Sequence, residues 1–131
     1  MITWNNLDKL TSYQELEKTE SVDLAAVMAG ENGAERVKNY SVPMAEGLAY
    51  NYAAKKVDDT VLSALEKLAE EAQLTEKFEA LYNGEVVNTG EKRLVLHHMT
   101  RGQLGDAVEA DGVDKRTFYV EQQKKIAEFA N

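Results

Sequence analysis

The sequence predicts a mainly α-helical fold with short extended connections, formed by a single helical unit over residues 1–131. Apolar residues recur at helical spacing in several stretches, most clearly between Asp58 and Gln73. The chain has one proline and 44% hydrophobic residues, which is typical of a packed domain rather than of a disordered or fibrous chain. No internal repeat, low-complexity tract or linker divides it, and 131 residues is an ordinary single-domain length.

Composition excludes several classes of function. The formal net charge is -8, from 23 acidic and 15 basic side chains without a long basic run, so nucleic acid is not an expected partner. The chain has no cysteine, which removes disulfides, thiol nucleophiles and thiolate metal sites and fits a cytoplasmic location. No window approaches the roughly 20 apolar residues of a membrane helix, and the N-terminus lacks a secretion pattern. No membrane association is expected.

The first third of the chain is predicted to form short helices. Apolar residues at three-residue steps indicate a surface helix from Thr3 to about Lys18; they are Trp4, Leu7, Leu10, Tyr13 and Leu16. Ser21 is expected to cap a second helix, with Asp23 near its positive end and Gly30 at its terminus. One more helical turn is expected over Arg36 to Asn39.

The middle of the chain predicts an irregular connection and then the clearest helix. The segments Tyr40 to Met44, which holds the proline, and Gly47 to Tyr52 alternate poorly, so an extended or irregular connection is expected. A helix then runs from Asp58, its expected N-cap, to about Gln73. The carboxylate pairs Asp58-Asp59 and Glu70-Glu71 are expected on its solvated face rather than in acid and base chemistry.

A further helix is expected after a short break. Thr75 is the expected cap of a helix from Glu76 to Tyr82, which would be buried through Phe78 and Leu81 and would end at Asn83-Gly84.

Two more helices complete the predicted fold. Thr89 is the expected cap of a helix that continues to about Met99. After a glycine-rich loop from Gly102 to Gly112, a last helix is expected from about Asp114 to Phe129.

Side chains considered by themselves predict no reaction and no cofactor. His97 and His98 are the two histidines of the chain, and adjacent side chains on a helix point about 100° apart, so a packed or hydrogen-bonded role is expected rather than a metal site. The glycine pairs Gly30/Gly33 and Gly102/Gly105 lack the flanking residues of phosphate loops and are expected to form turns.

Five separated blocks agree in order and spacing with a known family. The main block runs from Asn88 to Arg101 and matches Asn-x-Thr-Glu-x-Arg-Ala-Val-Leu-His-x-x-x-Arg, through Asn88, Glu91, Arg93, Val95, Leu96, His97 and Arg101. With the other blocks, which include Trp4, Tyr52, Gly84-Glu85 and Asp111-Gly112, the chain resembles the N-terminal segment of glucose-6-phosphate isomerases. Two segments depart from the family pattern. They are Asn51 to Lys55, where the family has Asp-Tyr-Ser-Lys-Asn, and Arg101-Gly102-Gln103-Leu104, where it has Arg-Asn-Arg-Ser.

The resemblance implies a helical segment that precedes two α/β sugar-isomerase lobes in a dimeric enzyme. That enzyme interconverts glucose 6-phosphate and fructose 6-phosphate through an enediol. The family's catalytic and phosphate-binding residues lie beyond the equivalent of Asn131, so none is carried over, and no cofactor or metal is implied. Arg93 and His97 are the only matched residues whose chemistry suits a place near the sugar site, and a structural role is expected for both. His98 is expected to be a bystander.

Two readings of function follow. In the first, the segment is inactive alone, its partner is the pair of C-terminal lobes, and sugar phosphate binds only to the full-length enzyme. In the alternative, the chain is a stand-alone helical interaction module derived from that segment. Under both readings an exposed apolar docking face is expected, through which the chain could self-associate.

Overall fold

The computed structural model describes residues 1–102 and 105–130. It confirms the mainly α-helical class, because the described residues form six α-helices and two two-stranded antiparallel sheets. Contacts group the chain into two compact units. We call residues 5–72 the N-terminal unit, and residues 1–4 with those from 73 onward the C-terminal unit. That the chain acts as one helical unit over residues 1–131 stays a prediction.

The N-terminal unit contains four helices and a β-hairpin. Its elements in chain order are a 3-10 turn at Leu7–Lys9, α1 (Thr11–Leu16), α2 (Leu24–Ala29), α3 (Gly33–Asn39), β1 (Ser41–Pro43), a 3-10 turn at Ala45–Gly47, β2 (Ala49–Asn51) and α4 (Asp59–Glu71). Helix α1 packs against α4.

The prediction of one helix from Thr3 to Lys18 is wrong. The backbone of Leu10 is extended (φ -87°, ψ 138°) and separates the first 3-10 turn from α1. The carboxylate of Glu71 caps α1 from 60 residues away, accepting hydrogen bonds from the amides of Thr11 at 3.1 Å and Ser12 at 2.7 Å. An apolar stripe in the sequence does not reveal a cap that comes from such a distant residue.

The start of α2 also differs from the prediction. Asp23, rather than Ser21, is the N-cap, and its carboxylate accepts the amide of Ala26 at 3.1 Å. Gly30 ends the helix as predicted, with its amide donating to the Ala26 carbonyl at 3.0 Å. The next helix, α3, begins at Gly33, earlier than the predicted turn.

The segment predicted as an irregular connection is a β-hairpin. Strands β1 and β2 pair antiparallel, with Val42 opposite Tyr50. The turn between them places Glu46 (φ 58°) and Gly47 (φ 73°) in the left-handed region. Two consecutive left-handed residues are typical of hairpin turns, but glutamate is not a residue that signals one. The pairing was therefore missed.

Helix α4 confirms the clearest sequence prediction. Asp58 is its N-cap and accepts the amide of Val61 at 2.8 Å. Asp59, Glu70 and Glu71 are exposed, as expected for a solvated face. Two of them also bond to other elements, because Asp59 accepts the hydroxyl of Tyr40 at 3.2 Å and Glu71 caps α1.

The C-terminal unit contains two α-helices joined by irregular chain. Its elements in order are α5 (Leu74–Tyr82), a 3-10 turn at His97–Thr100, β3 (Glu109–Ala110), β4 (Val113–Asp114) and α6 (Lys115–Ala130). Strands β3 and β4 form a two-residue antiparallel pair, and α6 packs against the 3-10 turn.

Helix α5 begins before its predicted cap. Thr75 lies inside the helix, and the N-cap position is Gln73, which is left-handed (φ 53°) and makes no side-chain cap. Phe78, predicted to be buried, is 63% exposed, whereas Ala80 is 2% exposed. The end of the helix at Asn83 is as predicted.

Helix α6 confirms the last predicted helix. Asp114 precedes it, and its carboxylate accepts the amides of Arg116 at 3.1 Å and Thr117 at 3.3 Å. With 16 residues and many charges, α6 does not qualify as a membrane span, and neither does any other helix among the described residues.

Each unit has a small apolar core. In the N-terminal unit it includes Leu10, Val22 and Ala53. In the C-terminal unit it includes Ala80 and Val108, and Met99 is fully buried.

Candidate functional site

The stretch from Asn88 to Arg101 is a turn followed by a 3-10 helix. The prediction of a helix capped by Thr89 is wrong. The Asn88 side chain accepts the amide of Glu91 at 3.1 Å, and the Asn88 and Arg93 backbones form an antiparallel bridge. Lys92 is left-handed (φ 54°). Asparagine side chains commonly stabilise such turns by bonding to backbone amides further along the chain, which competes with helix formation.

Arg93 and His97 both point into solvent. The Arg93 side chain is 76% exposed, and one of its terminal nitrogens lies 3.8 Å from the Glu91 carboxylate. Such an exposed pair contributes little to stability. His97 is exposed, and the Thr100 hydroxyl donates to its carbonyl at 2.8 Å. A place for either residue near a sugar site stays a prediction.

His98, expected to be a bystander, is the packed histidine. Its ring stacks on Tyr82 with centroids 4.7 Å apart, and its Nε2 lies 3.1 Å from the Tyr82 carbonyl oxygen. A carbonyl oxygen only accepts hydrogen bonds, so Nε2 must carry the proton in this contact. Nδ1 is buried and has no hydrogen-bond partner among the described residues. His98 therefore holds the 3-10 turn against the end of α5.

Arg116 joins the same contact from α6. It is 6% exposed, and its Nη2 donates to the Tyr82 carbonyl at 3.0 Å while its Nε donates to the Asp106 carbonyl. Its guanidinium carbon lies 5.4 Å from the centre of the Tyr82 ring. The carbonyl of Tyr82 thus receives hydrogen bonds from both His98 and Arg116, which connects α5, the 3-10 turn and α6. We call these three residues the Tyr82 hub.

Asp114 fixes the start of α6 and with it Arg116. The hydroxyl of Thr117 donates to its carboxylate at 2.6 Å, and the amide of Val108 donates at 3.2 Å. These hydrogen bonds hold the pKa of Asp114 below its ordinary value, and the hydrogen bond from the Thr117 hydroxyl has the largest effect. The carboxylate is a structural cap rather than a proton donor.

The sequence reasoning missed both buried arginines. Arg116 belongs to the hub, and Arg36 in α3 is 9% exposed. Arg36 donates to the carbonyls of Ala53 at 2.9 Å, Lys55 at 2.9 Å and Val57 at 2.7 Å. For Arg116 the available signal was position, because Tyr119 and Val120 follow it at three and four residues on one helix face. Arg36 has only Tyr40 at that spacing, which is a weak signal.

One pocket lies beside the 3-10 turn. It has a volume of about 580 Å³ and is lined by His97, His98, Thr100 and Arg101. Basic and hydroxyl groups could bind an anion, and the described residues that line the pocket include no carboxylate that could act as a base. Within the described part of the chain, no cluster of three or more metal-ligating side chains occurs. Of the segment Arg101-Gly102-Gln103-Leu104, the last two residues lie outside the described ranges.

Comparison with known proteins gives consistent matches. The family model described as phosphoglucose isomerase matches residues 51–131. The chain is 52% identical to a glucose-6-phosphate isomerase of Treponema denticola, over 97% of this chain and 25% of that protein. It is 39% identical to a glucose-6-phosphate isomerase of Treponema pallidum, over 98% of this chain and 25% of that protein.

The chain belongs to the phosphoglucose isomerase family. The crystal structure of a glucose-6-phosphate isomerase from Chlamydia trachomatis shares its fold, with a TM-score of 0.71 and 30% identity over 95% of this chain and 25% of that one. The chain therefore spans about a quarter of the length of these isomerases. Within the C-terminal unit, the Tyr82 hub connects α5, the 3-10 turn and α6.

Proposed function

We propose that this chain is the N-terminal portion of a glucose-6-phosphate isomerase, that it supports the catalytic lobes, and that it is inactive alone. The complete enzyme would interconvert glucose 6-phosphate and fructose 6-phosphate in the cytoplasm. The observation that carries the proposal is the 52% identity to an isomerase over nearly the whole of this chain but only a quarter of the relative.

The chemistry of the reaction supports an inactive segment. Moving a proton between neighbouring carbons through an enediol needs a base beside the substrate, together with groups that open the ring and bind phosphate. Arg93 and His97 are exposed to solvent. The His98 Nε2 proton and the Arg116 Nη2 group bond to the Tyr82 carbonyl, and Asp114 caps α6. We infer that the catalytic groups come from the C-terminal lobes, which would be this chain's partner, and that sugar phosphate binds only to the full-length enzyme.

A chimeric enzyme tests the proposal. The matched quarter of the Treponema denticola isomerase is replaced by this chain, and turnover of glucose 6-phosphate is measured for the chimera, for this chain alone and for the Treponema protein lacking its matched quarter. We expect turnover only from the chimera. Turnover by this chain alone would refute the inactive segment, and a folded chimera without activity would refute its role in the isomerase.

The exposed apolar side chains of the β-hairpin also suit a stand-alone interaction module. The same chimera separates the two functions, because a module with a different partner has no reason to restore an isomerase. Restored turnover favours the isomerase segment.

A further inference from the structure

The β-hairpin of the N-terminal unit presents one apolar face to solvent. Val42 pairs with Tyr50, and the amide of Met44 donates to the Leu48 carbonyl at 2.8 Å in the next pair toward the turn. Because side chains alternate along a strand, these four residues lie on the same face. Their exposed fractions are 48% for Val42, 49% for Tyr50, 57% for Met44 and 65% for Leu48.

The face continues into an apolar groove of the same unit. Val42 and Tyr50 line this groove, of about 400 Å³, together with Tyr52, Leu62 and Leu65. The rings of Tyr50 and Tyr52 stack with centroids 6.1 Å apart, so the hairpin and groove form a continuous surface. We call the hairpin face and this groove the hairpin surface. Lys55 contributes a cation to its lining.

The hairpin is only partly covered within its own unit. It is a two-stranded sheet, and of its six strand residues Ser41 is half-buried while the other five are exposed. A two-stranded hairpin is marginal in water unless a third strand or a packed surface supports it. Large apolar side chains aligned on one exposed face mark an interaction surface rather than a scattered set of surface residues.

We propose that the hairpin surface is the docking site for the remaining three quarters of the isomerase polypeptide. This inference rests on the proposed function and names the surface through which the segment meets the lobes. The Treponema denticola isomerase matches nearly the whole of this chain with 25% of its length, which leaves three quarters outside the match. The Chlamydia trachomatis enzyme likewise contains this fold in 25% of its chain.

A second copy of this chain is a less suitable occupant. Each copy carries a formal net charge of -8, which opposes close association. A symmetric contact would use the same patch on both copies, so it would also bring two copies of Lys55 into one interface.

Hydrogen exchange in the active chimera tests the docking site. We expect peptides covering residues 41–51 to exchange at least about tenfold more slowly in the chimera than in this chain alone, because docking suppresses local opening. Unchanged exchange of the hairpin in an active chimera would overturn the docking site and leave the proposed function standing. Slow exchange of the hairpin in this chain alone, which slows further as the protein concentration rises, would indicate that a second copy covers the hairpin surface. That result would also overturn the proposed docking site.

Paired substitutions supply a matched control. The variant M44S/L48S changes the hairpin surface, and L7S/M28S changes a leucine and a methionine elsewhere in the same unit, which are 50% and 38% exposed. We expect M44S/L48S to lower the unfolding midpoint of the chimera more than L7S/M28S does. In this chain alone, we expect the two variants to shift the unfolding midpoint to a similar extent. Equal shifts in the chimera would contradict the proposal. A folded but inactive wild-type chimera would refute the proposed function and with it this docking site.

Discussion

Replacement of Arg36 by methionine is expected to destabilise the N-terminal unit strongly. The side chain of Arg36 donates hydrogen bonds to three backbone carbonyls of the loop before α4, those of Ala53, Lys55 and Val57. Among the described residues, no other side chain of α3 bonds to these carbonyls. Methionine is apolar and unbranched and reaches about as far as the Nε position, so the variant R36M keeps the stem of the side chain and removes these hydrogen bonds.

The size of the effect follows from the donor's charge. A hydrogen bond to a charged group contributes about 1.5–3 kcal/mol, and removal of one partner leaves buried acceptors unsatisfied. The guanidinium also lies 4.1 Å from the centre of the Tyr40 ring, a cation–π contact that contributes about 1 kcal/mol. Because contacts that share one side chain are not additive, we expect a total loss of about 3–5 kcal/mol. That is a large part of the roughly 5–15 kcal/mol that stabilises an ordinary domain.

Urea unfolding followed by far-ultraviolet circular dichroism measures this loss. The variant K38M is the matched control, because Lys38 lies on the same helix, is 70% exposed and pairs with the exposed Glu35. We expect K38M to change the free energy of unfolding by less than about 0.5 kcal/mol. The variant R36K should fall between the two, since an ammonium keeps the charge but not the planar fork. A loss below about 1 kcal/mol in R36M would refute the reasoning.

Three further substitutions test the remaining structure. Met99→Ala should lower the free energy of unfolding by about 2–5 kcal/mol in thermal or urea titration, because Met99 is fully buried. Gly84→Ala should cost about 2–4 kcal/mol, because Gly84 is left-handed (φ 76°) and a Cβ there would collide with the Val108 side chain; V108A in the same background should restore part of that loss. Hydrogen bonds from Ser12 hold the pKa of Glu71 below its ordinary value, so the stability they give is present above about pH 4.3 and is lost as the pH falls through the lowered pKa. A melting series should therefore show a smaller acid-side fall in E71Q than in the parent chain, and equal slopes would contradict the role of Glu71.

The elements that were predicted correctly are those whose signals are local. Asp58 bonds to the amide of Val61, three residues further on, so its cap motif was sufficient to place the start of α4. The start of α6 was placed from the apolar residues of that helix, and Asp114 then bonds to the amides of Arg116 and Thr117. The errors lie where a distant residue or a competing turn decides the structure. Glu71 caps α1 from 60 residues away, and the Asn88 side chain forms a turn where Thr89 was expected to begin a helix.

The surroundings of the candidate residues differ from the expectation for a related reason. Arg93 and His97 were selected from the family motif, and the predicted helix would have placed them on one face four residues apart. In the observed turn and 3-10 helix both are exposed, and the adjacent His98 packs on Tyr82 instead. A sequence motif indicates which family a segment belongs to, but it does not indicate which of its side chains face the interior.

The distribution of polar and apolar groups is consistent with the proposal that this segment is ordered by itself and docks on the rest of an enzyme. Arg36 and Arg116 are buried and satisfy backbone carbonyls within their own units, so the internal contacts are directional and fix local geometry. Large apolar side chains such as Leu48 and Phe78 are exposed by 65% and 63%. Burial of apolar surface is the main favourable term in folding. A segment that fixes its shape through polar contacts and leaves apolar surface uncovered gains much of its stability only when a partner covers that surface.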